Sequence, residues 1–430
     1  MLVIGDTGRA MVRAVAAVCL FGWSHASGDD WPQWLGPGRN NVSTEVVAPW
    51  KEPPSVAWRQ KVGHAQSSPV VAGGRVFIHS VVAGEEKEEV LAFDATTGEL
   101  RWRDAYERGA YRSQQGPGPR ATPSVMGGRV YTTGITGILG CYDCESGKRL
   151  WQANPYEELG ASLPGFGVCS SPAVTASRVI LPVGGKGSAV VAYDAQTGKL
   201  AWQKFDEPAA ASSPVVVTRG EGDKKRTEVI VQTTLRVMGL NPDDGTVHWE
   251  HPLVFQPSGV APTPLTTSSL LICSTQDNGT IALSTPSADG VPRQAWWKQD
   301  LSSYFSTGTL DVEQNRVFLL TNQLQPLPRA DLVCIDLESG SELWSRAALG
   351  YFHAGVIMTG DGKLLILDDS GNLVLAEAAK DRFVELAKAK VCRGTFVNPA
   401  ISGGLVYVRD DQELIALRVP ATARAENGSQ

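Results

Sequence analysis

The histidines and cysteines are the residues best suited to chemistry in this chain, and their spacing limits what they could do. Setting residues 1–26 aside leaves His64, His79, His248, His251 and His353. The closest pair stands in His248-Trp249-Glu250-His251, which reads as a strand. Odd spacing there sends the two rings to opposite faces, so no shared metal is expected. Cys141-Tyr142-Asp143-Cys144 has the spacing of a redox or zinc pair. Cys141, however, takes a strand position that is Ala92 or Ala192 in related segments and Cys334 in another, which reads as a small buried residue. Cys144, where the related segments carry Ala95 and Ala195, is the less easily explained member. Cys169, Cys273 and Cys392 complete the set; disulfides are permitted, but their connectivity is not readable. No GxxxxGK(S/T), GxSxG or HExxH motif occurs. No catalytic residue and no metal ligand is expected.

The elements that hold these residues are repeats. FDATTGELRW ends at Trp102, YDCESGKRLW at Trp151, YDAQTGKLAW at Trp202, LNPDDGTVHW at Trp249 and IDLESGSELW at Trp344, in steps of 49, 51, 47 and 95 residues. The last step is two units, with Trp296 or Trp297 at its middle. A period near 47 residues with short strands marks an array of propeller blades. Each unit opens at a Ser/Thr-Pro pair, as at Ser67, Ala121, Ser170, Ser212 and Pro262. A second strand follows, then a third ending in the motif Asp, a turn that needs its Gly, and a fourth strand with the Trp. These Asp and Trp residues are architectural. The Trp fills the space between blades that a lone sheet cannot close.

Six units run from Ser67 to Arg346. A seventh has lost its Trp, and an eighth, from Asn398, supplies three strands. Ser55-Val56-Ala57-Trp58-Arg59 reads as the missing fourth strand. The expectation is an all-β chain, a single β-propeller of eight four-stranded blades over residues 55–419, closed by its N-terminal strand, with seven blades as the second choice.

At the N-terminus, Arg9 and Arg13 precede the apolar run Ala14 to Trp23 and then Ser24-His25-Ala26, a signal-peptide pattern with cleavage near Ala26. Val18 before Cys19 does not suit a lipid-attachment site, and no later run would span a membrane. A periplasmic or secreted, soluble, monomeric product is expected, with a lead-in at 27–54 and a disordered tail at 420–430. Loss of Arg9, Arg13 and Asp6 takes the net charge from −6 to −7. Such a chain, without a basic stripe, is no nucleic-acid binder. The runs Glu85 to Glu89 and Lys224 to Arg226 read as solvated loop tips.

The YDAxTGxxxW units and SSPVV openings resemble the pyroloquinoline-quinone-repeat (PQQ) propellers, which include quinoprotein alcohol dehydrogenases and BamB-like exported proteins. Asp30-Trp31-Pro32-Gln33-Trp34-Leu35-Gly36-Pro37-Gly38-Arg39 is similar to the lead-in of the BamB-like members. That resemblance implies a non-catalytic platform for a protein or peptide partner, in envelope or outer-membrane protein assembly. The alternative it implies is a PQQ-dependent oxidoreductase, whose relatives clamp the quinone with adjacent, disulfide-joined cysteines and bind calcium. No two cysteines are adjacent here, so no cofactor is expected.

The segments just before each opening strand converge round the channel. They are His64-Ala65-Gln66, Gly116 to Arg120, Phe166 to Cys169, Ala209 to Ala211, Ser258 to Val260, Tyr304 to Ser306, Tyr351 to His353 and Cys392 to Phe396. From these and the neighbouring loop we select Gln66, Arg112, Arg120, Tyr304, Phe305, His353 and Arg393 as candidate ligand or partner contacts at the mouth, suited to an anionic or extended ligand. The loop Tyr106 to Arg120 reads as an adaptable lip. Against this, each residue could merely satisfy neighbouring loop amides. Stacking of a sugar on Tyr304, Phe305 and Phe352 is a third reading.

Overall fold

The repeat folds around its turn. The Asp94 carboxylate accepts the amides of Thr96 (3.0 Å) and Thr97 (2.8 Å), and Gly98 takes a φ of 73°. A one-residue shift between Ala92 and Phe93 then sets the next strand in register. Asp143, Asp194 and Asp336 cap their turns in the same way. Arg101 and the turn amides hold the Asp94 carboxyl down to about 2. The glycine has a second reason to be glycine. A Cβ on Gly98 would stand 2.5 Å from the ring of Trp58, one on Gly147 2.4 Å from Trp102, and one on Gly198 2.5 Å from Trp151.

Each tryptophan therefore lies under the turn of the next blade, and its indole N–H donates there. Trp58 reaches Ala95 O (2.9 Å), Trp102 Cys144 O (2.9 Å), Trp151 Ala195 O (3.1 Å) and Trp202 Pro242 O (2.9 Å). Trp296 reaches Leu337 O (2.8 Å) and Trp344 Ala379 O (2.9 Å). Trp296, not Trp297, is the wedge of its blade: Trp297 is 49% exposed. Trp249 differs, donating within its own blade to Glu228 Oε2 (3.1 Å). Blade 7 carries Ala387 where others carry Trp, and Trp50 of the lead-in joins the same core.

The computed structural model describes residues 30–113, 115–220, 222, 225–254, 261–285, 290–323 and 327–420. The expected signal peptide, the tail beyond Pro420, Lys224 and Ser258 to Val260 lie outside them. The described residues form eight four-stranded antiparallel sheets. Blades 1 to 7 span residues 70–107, 124–153, 173–204, 215–252, 265–298, 309–350 and 354–390. Blade 8 combines Ala400–Ser402, Leu405–Arg409 and Glu413–Arg418 with the N-terminal strand Ser55–Lys61, which pairs from Ser55↔Arg418 to Lys61↔Glu413. The eight-blade expectation and its strand closure hold. Helix is confined among the described residues to Pro155–Leu159.

The Ser/Thr-Pro openings stitch the inner strands together. The Asn398 amide donates to Ser68 Oγ (3.2 Å), Ser68 to Thr122 Oγ1 (3.0 Å), Thr122 to Ser171 Oγ (2.9 Å), and Ser171 to Ser213 Oγ (2.9 Å). Thr263 donates likewise to Thr307 Oγ1 (2.9 Å). The hydroxyls of Ser68, Thr122, Ser171, Ser213 and Thr307 thus each serve an amide of the preceding blade's opening.

The lead-in touches every blade. Trp31 pairs with Val71 of blade 1, and Pro32 O accepts the Val125 amide of blade 2 (2.8 Å). Trp34 Nε1 donates to Thr263 Oγ1 beside blade 5 (2.9 Å), and Asn41 Nδ2 to Gly308 O beside blade 6 (3.1 Å). The Ser43 amide donates to Met358 O of blade 7 (2.9 Å). The Glu45 carboxylate accepts the amides of Gly403 (2.6 Å) and Gly404 (3.2 Å) in blade 8. Buried Arg39 donates to Pro214 O (2.6 Å), Pro172 O and Ser124 Oγ (3.1 Å), with Gln33 Oε1 on its Nε (2.9 Å), tying in blades 3 and 4. Leu35, Arg39 and Asn41 all hold positive φ, a strain that persists because the surroundings over-determine it. At blades 1, 2, 7 and 8 these contacts lie where inner strands end and turn to second strands, and at blades 3 to 6 they reach the openings of the inner strands, at Pro172, Pro214, Thr263 and Gly308. The lead-in therefore occupies the channel between those turns and the openings.

Candidate functional site

In antiparallel blades, the blade-to-blade connections and the loops between second and third strands share the opposite end. This is the mouth, and its backbone is satisfied by loop side chains. The Asp369 carboxylate accepts the amides of Tyr351 (3.0 Å), Phe352 (2.5 Å) and His353 (3.1 Å). Asn322 Oδ1 accepts those of Tyr304 (2.8 Å) and Phe305 (3.3 Å), while its Nδ2 donates to Phe352 O (2.6 Å). Asp410 accepts the amides of Arg393 (3.2 Å), Gln412 (2.9 Å) and Glu413 (2.9 Å).

With the backbone fixed, the aromatic side chains face solvent. Phe305 is 40% exposed, Tyr351 64%, Phe352 37% and Phe396 45%. Tyr304 and Phe305 lie 4.1 Å apart by ring centroids, and Phe352 and Phe396 6.3 Å. Blades 6 to 8 thus present an aromatic arc, and exposed apolar groups clustered this way mark interaction surfaces. His353 lies beneath it, buried, with Nδ1 on Ser306 Oγ (2.8 Å). Burial pulls its imidazole down to about 4, so it is neutral near neutral pH.

The side built by blades 1 to 3 is polar. The Gln66 amide donates to Pro119 O (3.0 Å) and its side chain to Gln115 O (3.2 Å). Arg120 reaches Ser113 Oγ (3.3 Å) and Gly116 O (3.4 Å). His64 packs against Gly116, where a Cβ would stand 2.2 Å from the ring, and its Nε2 lies 3.3 Å from Asp411 Oδ1. Burial lowers the His64 pKa, Asp411 opposing and Arg409 and Arg120 adding to the fall.

The candidates are not one cluster. Gln66 and Arg120 share the polar side, and Tyr304 and Phe305 the aromatic arc, with His353 beneath it. Arg112 is exposed at the outer lip, paired with Glu86, which also binds Arg108 (2.9 Å). Arg393 bonds Gln412 and lines a cleft of about 230 Å³ with Arg59, Lys390 and Glu413, between blades 7 and 8. The expected lip is also corrected at its start, because Tyr106 is buried. Its hydroxyl donates to Glu88 Oε2 (2.6 Å) and lies 2.9 Å from His79 Nε2.

That buried set escaped the sequence reading. Glu88 Oε1 accepts the Ile135 amide of blade 2 (3.0 Å). Burial raises the Glu88 carboxyl above its ordinary value, against its bonds from Tyr106 and Ile135, and lowers His79 to about 3. Arg409 was missed too. It is fully buried and donates to His79 O (2.9 Å), Gly63 O (2.7 Å) and Ser80 Oγ (2.8 Å). An isolated Glu or Arg on a strand carries no sequence signal of burial.

The donor chemistry does not fit a calcium-bound quinone. Among the described residues no three of His, Cys, Asp and Glu are grouped to hold a cation, and the six cysteines there are free thiols. Cys141 and Cys144 are both buried, and burial raises both thiols, Cys141 to about 11. They are inert by that measure.

The family model of outer membrane protein assembly factor BamB matches residues 40–114, 86–346 and 294–425. The chain belongs to the BamB family of PQQ-like propellers. The BamB of Yersinia pestis is 23% identical over 299 residues, 67% of this chain and 71% of that one. The crystal structure of quinohemoprotein alcohol dehydrogenase from Comamonas testosteroni matches with a TM-score of 0.68 at 15% identity, covering 95% of this chain and 83% of that one. BamB from Moraxella catarrhalis matches with a TM-score of 0.57 at 14% identity, covering 84% and 98%. At such identities the two structures speak for the fold alone.

Proposed function

We propose that this BamB-family propeller is an exported, non-catalytic platform that binds a protein or peptide partner at its mouth, in outer-membrane protein assembly. The observation that carries this reading is the aromatic arc Phe305, Tyr351, Phe352 and Phe396, exposed on a backbone already satisfied by Asp369, Asn322 and Asp410. Rigidly presented aromatic rings are what a partner surface uses to bury area at low entropic cost.

The second reading, a quinoprotein oxidoreductase, draws on the fold likeness to the alcohol dehydrogenase. A calorimetric titration of residues 27–430 with pyrroloquinoline quinone and calcium, followed by alcohol-dependent dye reduction, separates the two. The platform reading predicts neither saturable binding nor turnover. Stoichiometric binding with turnover would replace it by the enzyme reading.

A further inference from the structure

We propose that the polar side of the mouth is a carboxylate site centred on Arg120, taking an acidic group of an aromatic-bearing peptide that lies across the mouth. This inference rests on the platform reading and names the partner's chemistry. Arg120 Nη1 is buried and has no hydrogen-bond partner, while Nη2 has only the long contacts to Ser113 and Gly116. Two more buried polar atoms of neighbouring residues lack partners, His64 Nδ1 and Ser67 Oγ. Ser67 is 0% exposed.

These residues adjoin Arg120. The Ser67 amide donates to Pro119 O, next to Arg120 (3.1 Å), and the His64 ring packs on Gly116, whose carbonyl Arg120 Nη2 contacts. The neighbouring carboxylates are already engaged: Asp411 with His64, Glu86 with Arg108 and Arg112, Asp410 with three amides. A buried guanidinium N–H without an acceptor is costly, and a carboxylate is the group its planar fork matches best. The hydroxyl of Ser67, beside Pro119, can turn to donate to the same anion. The aromatic arc opens at the same mouth, so an acidic residue flanked by aromatic ones would engage both.

The test uses a fluorescein-labelled peptide, Gly-Tyr-Phe-Asp-Tyr-Phe-Gly, and its Asn counterpart, titrated with the mature chain by fluorescence polarisation. The Asp peptide should bind roughly tenfold tighter. Arg120→Gln should bring the two peptides within about twofold of each other, and Arg120→Lys should keep part of the preference. Phe352→Ser should weaken both peptides alike. Circular dichroism confirms that each variant folds. Equal binding of Asp and Asn peptides, a preference that survives Arg120→Gln, or no binding of either would overturn the carboxylate site. Displacement by citrate at the peptide's own affinity would overturn the peptide part, leaving a small-acid site. Photo-cross-linking from Tyr351 tests the platform independently, so adducts there with no acid preference would sink this inference alone.

Discussion

The lead-in and the mouth each carry an arginine, and the two are bound differently. On the lead-in, Arg39 is buried with Pro214 O, Pro172 O, Ser124 Oγ and Gln33 Oε1 as acceptors. Burial pulls it down to about 9. At the mouth, Arg120 keeps a buried N–H with no acceptor, and the aromatic arc at the same end is exposed. The residue type is the same; satisfaction decides the role. A saturated guanidinium is a strut, while an unsaturated one at a mouth that exposes aromatic rings is poised for something from outside.

The comparison can be broken most sharply at the strut. Arg39→Ala removes the bonds to these four acceptors and to Ser171 O and leaves a void among carbonyls that water must fill, so it should cost about 3 kcal/mol or more in chemical denaturation. A loss below roughly 0.5 kcal/mol would mean that the lead-in merely lies on the propeller. Gly147→Ala comes next. It needs positive φ and puts a Cβ against Trp102, at an expected cost of about 2–3 kcal/mol by thermal unfolding. An unchanged melting temperature would refute the turn-over-tryptophan packing.

A smaller effect should come from Glu88, and it should depend on pH. Its folded carboxyl is raised by burial, with Tyr106, Ile135 and Arg108 opposing. The folded state therefore holds this proton to higher pH than the unfolded chain does. Stability is lost as pH rises from the ordinary carboxyl range through the folded value. Glu88→Gln should flatten that decline in unfolding curves taken from acid to neutral pH, and a steeper decline in the variant would contradict the assignment. His79, held neutral above about 3 while the unfolded imidazole still takes a proton below its ordinary value, contributes the opposite slope, stability rising with pH, so the Glu88 effect is the difference between wild type and variant. Smallest of all, Tyr351→Ser and Phe352→Ser should change stability by less than about 0.5 kcal/mol. A large loss from either would make the arc part of the core.

What could be read from sequence was what repeats. Asp94, Gly98 and Trp102 recur with their blade, so the count, the turn and the closing strand at Trp58 were all visible. Ala387 already marked blade 7 as different. The lead-in was visible only as a motif, because Arg39 binds carbonyls of residues far along the chain, and a carbonyl has no sequence signature. The opening hydroxyls were seen as strand starts; their bonding to the preceding blade appears only when the ring closes. At the mouth, sequence could not say that Asp369 would bind three amides and leave Tyr351 exposed. Nor could it show that Arg393 would turn towards Gln412.

The most direct measurement is site-specific photo-cross-linking in the native envelope. A benzophenone amino acid would replace Tyr351 at the mouth or Met126, which is exposed at the lead-in end. The platform reading predicts adducts with an outer-membrane assembly protein from position 351 and none from position 126. Adducts from position 126 alone, or equally from both, would contradict it.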